Sequence, residues 1–108
     1  MAEKLVAHNV FFELNDASDE AVDRLVSECH TYLKPVPGIV FFSAGRILQE
    51  HARDVNVRNF HVGIHVTFVD KAAHDAYQDC EMHHQFVRRN EGNWKSARVF
   101  DMYADCGG

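Results

Sequence analysis

From Leu5 to Leu14 the chain alternates with a period of two. Val6, His8, Val10, Phe12 and Leu14 fall on one face, and Leu5, Ala7, Asn9, Phe11 and Glu13 on the other. Both faces are largely apolar at their centre, which predicts a strand covered on two sides. The segment Asn15-Asp16-Ala17-Ser18 then breaks the pattern and supplies good helix N-cap side chains. Beyond it Ala21, Val22, Leu25, Val26, Cys29, Tyr32 and Leu33 recur at helical spacing, predicting a helix from Asp19 to Leu33. Asp19, Glu20 and Asp23 occupy its first turns, where the helix dipole favours negative charge. Pro35 and Pro37-Gly38 stop it.

The run Ile39 to Ala44 reads as a second strand, and the polar stretch Gln49 to Asn59 as an exposed loop. Phe60 to Phe68 reads as a third strand, with Val62, Ile64, Val66 and Phe68 on one face and His61, Gly63, His65 and Thr67 on the other. Asp70 is a natural N-cap for a helix through Asp79, and a second short helical piece is expected from Met82 to Arg89. Asn90-Glu91-Gly92-Asn93 reads as a turn and Ala97 to Tyr103 as the last strand. The order β-α-β-β-α-β predicts an α+β, ferredoxin-like fold, taken as one domain over residues 4–104. Helices on one side of such a sheet leave its other, apolar face bare. A second copy of the same face is the simplest cover, so the expected assembly is a homodimer through the sheet face: a dimeric α/β barrel.

Composition narrows the function classes. The chain has 108 residues and a formal net charge of -5, and lacks the clustered basic face that nucleic acid requires. No run is long and apolar enough to span a membrane, and the N-terminus does not resemble a signal peptide; the expected location is the cytoplasm. The three cysteines, Cys29, Cys80 and Cys106, show no CxxC spacing, which argues against a disulfide framework or a thiolate zinc site.

The eight histidines are the unusual feature of the composition. His61 and His65 share a strand face but stand about 13 Å apart by strand rise, too far to hold one ion. No metal site and no cofactor are therefore expected. Tyr77 and His83 are six residues apart, a poor spacing on one straight helix. They can meet only if the helix breaks between them. Such a pair suits proton abstraction next to a carbonyl, with histidine as base and tyrosine as donor to the enolate oxygen. The alternative for Tyr77, His83 and His8 is packing and satisfaction of backbone groups. The phenylalanines Phe11, Phe12, Phe41, Phe42 and Phe68 read as core and dimer interface, with a fraction available to line a cavity.

Several segments in their order resemble the stress-responsive A/B barrel (Dabb) family. They are His8-Asn9-Val10-Phe11-Phe12-Glu13-Leu14, Pro37-Gly38-Ile39 with Gly45, Phe60-His61-Val62-Gly63-Ile64-His65-Val66-Thr67-Phe68, the set Tyr77, His83 and Phe86, and Phe100-Asp101. The resemblance runs from Lys4 to Tyr103. It departs from the family where Cys80-Glu81 stands in place of a frequent His-Pro. The resemblance implies a homodimeric barrel, most of whose relatives have no assigned reaction, with a pocket for a small apolar or aromatic ligand. One plant polyketide cyclase of the family carries its tyrosine and histidines where this chain has Tyr77, His83 and His8. That implies a cofactor-independent lyase or cyclase as an alternative, with cofactor-free oxygenation a weaker one and a purely structural stress protein another. His8, Tyr77 and His83 are thus the candidate catalytic residues, and His61, His65, Phe12 and Phe86 the candidate pocket residues.

Overall fold

The computed structural model describes residues 4–107. Strand β1 (Leu5–Leu14) leads into helix α1 (Asp19–Tyr32), strands β2 (Ile39–Arg46) and β3 (Val62–Phe68), helices α2 (Lys71–Asp79) and α3 (Glu81–Asn90), and strand β4 (Trp94–Ala104). The sheet is antiparallel in the order β2-β3-β1-β4. This is the expected ferredoxin-like arrangement. The expected N-caps are in place: Ser18 Oγ accepts from the Ala21 amide and Asp70 Oδ1 from the Ala73 amide. Strand β4 starts at Trp94, three residues before its expected start, because a single 3-10 turn over Glu91–Asn93 reverses the chain directly into it. Strand β3 starts two residues later than expected. Gln49 to Asn59 is irregular, as its polarity predicted.

The alternation in the sequence fixes which sheet face meets the helices. Val6, Val10, Phe12 and Leu14 of β1 and Val62, Ile64, Val66 and Phe68 of β3 form one buried layer. Val22, Leu25, Cys29 and Leu33 from the α1 segment, Tyr77 of α2 and Phe86 of α3 pack onto it. Burial pushes the Cys29 thiol up to about 12, so it behaves as a small apolar group. Arg89 ties α3 to α1: its Nε donates to Glu28 Oε1 at 2.7 Å and its guanidinium lies over the Tyr32 ring. At the turn into β2, Gly38 has φ 92°, and a Cβ there would come 2.6 Å from Ala73 Cβ. Both facts demand glycine.

The opposite face carries Asn9, Phe11, Phe41, His65, Phe100 and Met102, by the register of the four strands. Phe41, Phe100 and Met102 are 54%, 57% and 61% exposed. Gly63 sits opposite Phe11 across β1 and β3. A Cβ at Gly63 would lie 3.1 Å from the Phe11 ring, so its absence lets the ring lie flat over the sheet, against Phe60 and Phe100. Among the described residues no helix is long and apolar enough to cross a membrane.

Candidate active site between sheet and helices

The helical region after β3 is interrupted at one residue. Cys80 adopts φ -74° and ψ 154°, an extended conformation that ends α2 and starts α3. The break therefore forms without the proline that the family often has here. It turns Tyr77, the last buried residue of α2, towards His83 in the first turn of α3. Their rings meet edge to face with centroids 4.9 Å apart. The Tyr77 ring also meets His8 of β1 at 5.7 Å and Phe68 of β3 at 4.9 Å.

His8, Tyr77 and His83 line one cavity of about 160 Å³ between the sheet and the helices. Phe12 and Phe86 line it too, together with Trp94, Ala97 and Val99 at the β4 edge. The wall is mostly apolar, but two of its residues hold buried polar atoms with no hydrogen-bond partner among the described residues, His83 Nδ1 and Trp94 Nε1. Desolvation, then the neighbouring His84, His8 and His74, hold His83 below the usual histidine value. It is a neutral imidazole at pH 7. Burial pushes the Tyr77 phenol well above its usual value, so it keeps its proton and can only donate or accept a hydrogen bond.

His61 and His65, the other candidate pocket residues, do not line this cavity. The alternation that turns Val62 and Ile64 inward turns His65 to the open sheet face, where its Nδ1 lies 2.7 Å from Asn9 Oδ1 and its ring meets Phe41. His61 precedes β3, and its Nδ1 accepts the Leu14 amide at 3.0 Å. That bond closes the end of β1 and gives His61 a structural role.

Behind the cavity His8 takes part in a polar cluster. Its Nδ1 lies 2.5 Å from Asp101 Oδ1 and 3.1 Å from His74 Nε2. The register of β1 with β4 places Asp101 directly opposite His8. The side-chain amide of Gln78, one turn on from His74, is 3.0 Å from His74 Nε2. Desolvation and the neighbouring His8 lower the His74 pKa. Neither His74 nor Trp94 stood out in the sequence, because each joins the site only through tertiary packing.

The sequence profile of the stress responsive A/B barrel domain (Dabb) matches residues 6–104. The chain belongs to the Dabb family. No curated protein sequence matches it. Among solved structures this Dabb protein is similar to a Dabb family protein with a ferredoxin-like fold from Mesorhizobium loti. The two are 25% identical with a TM-score of 0.78, over 97% of this chain and 100% of that one. A dimeric ferredoxin-like protein of unknown function from Thermobifida fusca aligns with a TM-score of 0.78 at 14% identity, over 94% and 92% of the two chains. A hydroxynitrile lyase from Passiflora edulis aligns with a TM-score of 0.77 at 16% identity, over 100% and 99%. At these lower identities the likeness is one of fold.

Proposed function

We propose that this Dabb protein is a homodimer, paired through its open sheet face, that binds a small aromatic or apolar carbonyl compound in the cavity between sheet and helices. The observation that carries the reading is the pair of unpartnered buried atoms, His83 Nδ1 and Trp94 Nε1, on residues of an otherwise apolar wall. A buried polar group without a partner costs about 1–3 kcal/mol. A bound oxygen acceptor would relieve the Trp94 indole, which can only donate. The volume suits one aromatic ring: a dry apolar cavity of ~150 Å³ takes benzene. A purely structural stress protein would have no need of a cavity with unsatisfied walls.

The dimer rests on the exposed Phe41, Phe100 and Met102, and on the dimeric description of the Thermobifida fusca neighbour. Val57 of the long loop is also exposed and lines a surface hollow with Phe11 and Phe100, which extends the apolar surface available to a partner.

The chain has one tryptophan, so its indole N–H gives a single isolated NMR resonance. Titration with acetophenone should displace that resonance saturably. Ala97→Phe, which puts a bulkier side chain into the cavity lining, should weaken the response by about tenfold or more, equivalent to ~1.4 kcal/mol. An unmoved resonance, or an equal response in Ala97→Phe, overturns the reading.

A second reading makes the same cavity an active site for proton abstraction beside the carbonyl, with His83 as base and Tyr77 as donor to the enolate oxygen. The edge-to-face contact of a neutral His83 with a protonated Tyr77 favours it. The hydroxynitrile lyase of the same fold shows that this fold can carry lyase chemistry. The protein should then speed deuterium exchange of the acetophenone methyl protons, and His83→Ala should slow that exchange by about 100-fold. Exchange at the buffer rate removes this reading and leaves the binding one standing.

A further inference from the structure

We propose that His8, His74 and Asp101 form a divalent transition-metal site of the zinc class, with an open coordination position facing the surface cleft beside β4. The three ligand atoms converge from three elements, β1, α2 and β4, and lie within 4.8 Å of one another. His8 Nδ1 is 2.5 Å from Asp101 Oδ1 and 3.1 Å from His74 Nε2, and His74 Nε2 is 3.9 Å from Asp101 Oδ1. Ligand atoms around tetrahedral zinc stand ~3.3 Å apart, given metal–ligand bonds of ~2.0–2.1 Å. The observed separations straddle that value, so side-chain shifts of less than ~1 Å bring all three into place.

The hydrogen-bond inventory points the same way. A neutral imidazole carries one ring N–H. His8 Nδ1 lies within hydrogen-bond distance of both Asp101 Oδ1 and His74 Nε2, yet it carries one hydrogen at most. A cation at the centre meets three lone pairs instead. Gln78 touches His74 Nε2 in the metal-free arrangement, but its side chain is exposed and free to swing aside.

Two imidazoles and one carboxylate suit zinc, cobalt(II) or iron(II) rather than magnesium or calcium. His8 and Asp101 are held in register by strand pairing, and His74 stands on a helix capped by Asp70. Such a frame is largely preformed, which limits the cost of binding. A cleft of about 300 Å³ lined by His74, Asp101, Lys71, Asp75 and Tyr103 gives access for an ion and room for a water or a small ligand in the fourth position. Metal on His8 Nδ1 would leave the ring proton on Nε2. The metal would thereby fix the tautomer of a cavity-wall residue. The site itself does not depend on what the cavity binds.

Chelator-treated full-length protein, titrated with cobalt(II) and then with zinc, tests the proposal. One cobalt per chain should bind, with the visible absorption of a tetrahedral site and no thiolate charge-transfer band, and zinc should displace it. Asp101→Asn and His74→Gln should each weaken binding by about 100-fold or more, whereas His51→Ala, a loop histidine outside the cluster, should leave it unchanged. Melting curves verify that the variants fold. Should His74→Gln unfold, Asp101→Asn at its part-exposed edge-strand position carries the same test. No stoichiometric binding, a thiolate band from Cys80 or Cys106, or equal binding in Asp101→Asn overturns the site and marks any metal uptake as adventitious.

Discussion

Tyr77 and His83 meet edge to face, ring centroids 4.9 Å apart, because the chain leaves helical geometry at Cys80 and re-enters it at Glu81. On one continuous helix a separation of six residues would place the two rings on different faces. The contact is therefore a product of the break, and Tyr77 serves two purposes: its ring fills the core and the residue lines the cavity. Tyr77→Phe keeps the ring and should change stability by about 1 kcal/mol or less. Tyr77→Ala empties a fully buried site and should cost about 3–5 kcal/mol. Urea denaturation of both variants checks the pair. Equal losses would mean that the hydroxyl, not the ring, holds the fold.

Acid should destabilise the protein through His83. Its folded pKa lies below the ordinary 6.5, held there by burial and by His84, His8 and His74. Below 6.5 the unfolded chain takes up the proton first, so stability falls as pH drops from 6.5 through the folded value. Above 6.5 the contribution is complete. His74 acts in the same direction, its pKa lowered by burial and by His8. Urea midpoints measured stepwise through this range should fall less steeply in His83→Gln than in the parent, and equal slopes would remove His83 from the account.

The open sheet face should lose its partner when charged. Phe100, 57% exposed on the face opposite the helices, meets only the Phe11 ring among the aromatic side chains of the described residues. Phe100→Asp should leave the isolated fold intact while weakening the dimer by about 2 kcal/mol or more, the loss of a central aromatic anchor. Light scattering behind size exclusion should read a dimer for the parent and a shift towards monomer for the variant. A parent that is monomeric at micromolar concentration contradicts the barrel assembly.

Gly38→Ala should destabilise by about 2 kcal/mol or more, since it forces a side chain into positive φ and against Ala73. Thermal melting gives the shift directly.

The sequence made the architecture legible because its periods are clean. Two-residue alternation in Leu5–Leu14 and Val62–Phe68 and helical spacing from Ala21 to Leu33 leave few other folds. The inward face of β1 already placed His8 with Val6 and Val10. The same rule puts His65 on the opposite face from Val62 and Ile64, but which of the two faces the helices cover is decided by packing, so His65 was expected in the pocket and lies outside it. The cluster of His8, His74 and Asp101 was not legible either. It depends on the β1–β4 register, which pairs residues 93 positions apart, and on the rotation of α2 about its own axis. Trp94 was hidden by its position at the turn into β4, where no period places it.

The most direct measurement of the cavity reading is a crystal structure of the protein soaked with acetophenone. The account predicts the ring among Phe12, Phe86 and Tyr77, with its oxygen within hydrogen-bond distance of Trp94 Nε1 or His83. A compound bound only elsewhere, or a cavity that stays empty at saturating concentration, contradicts it.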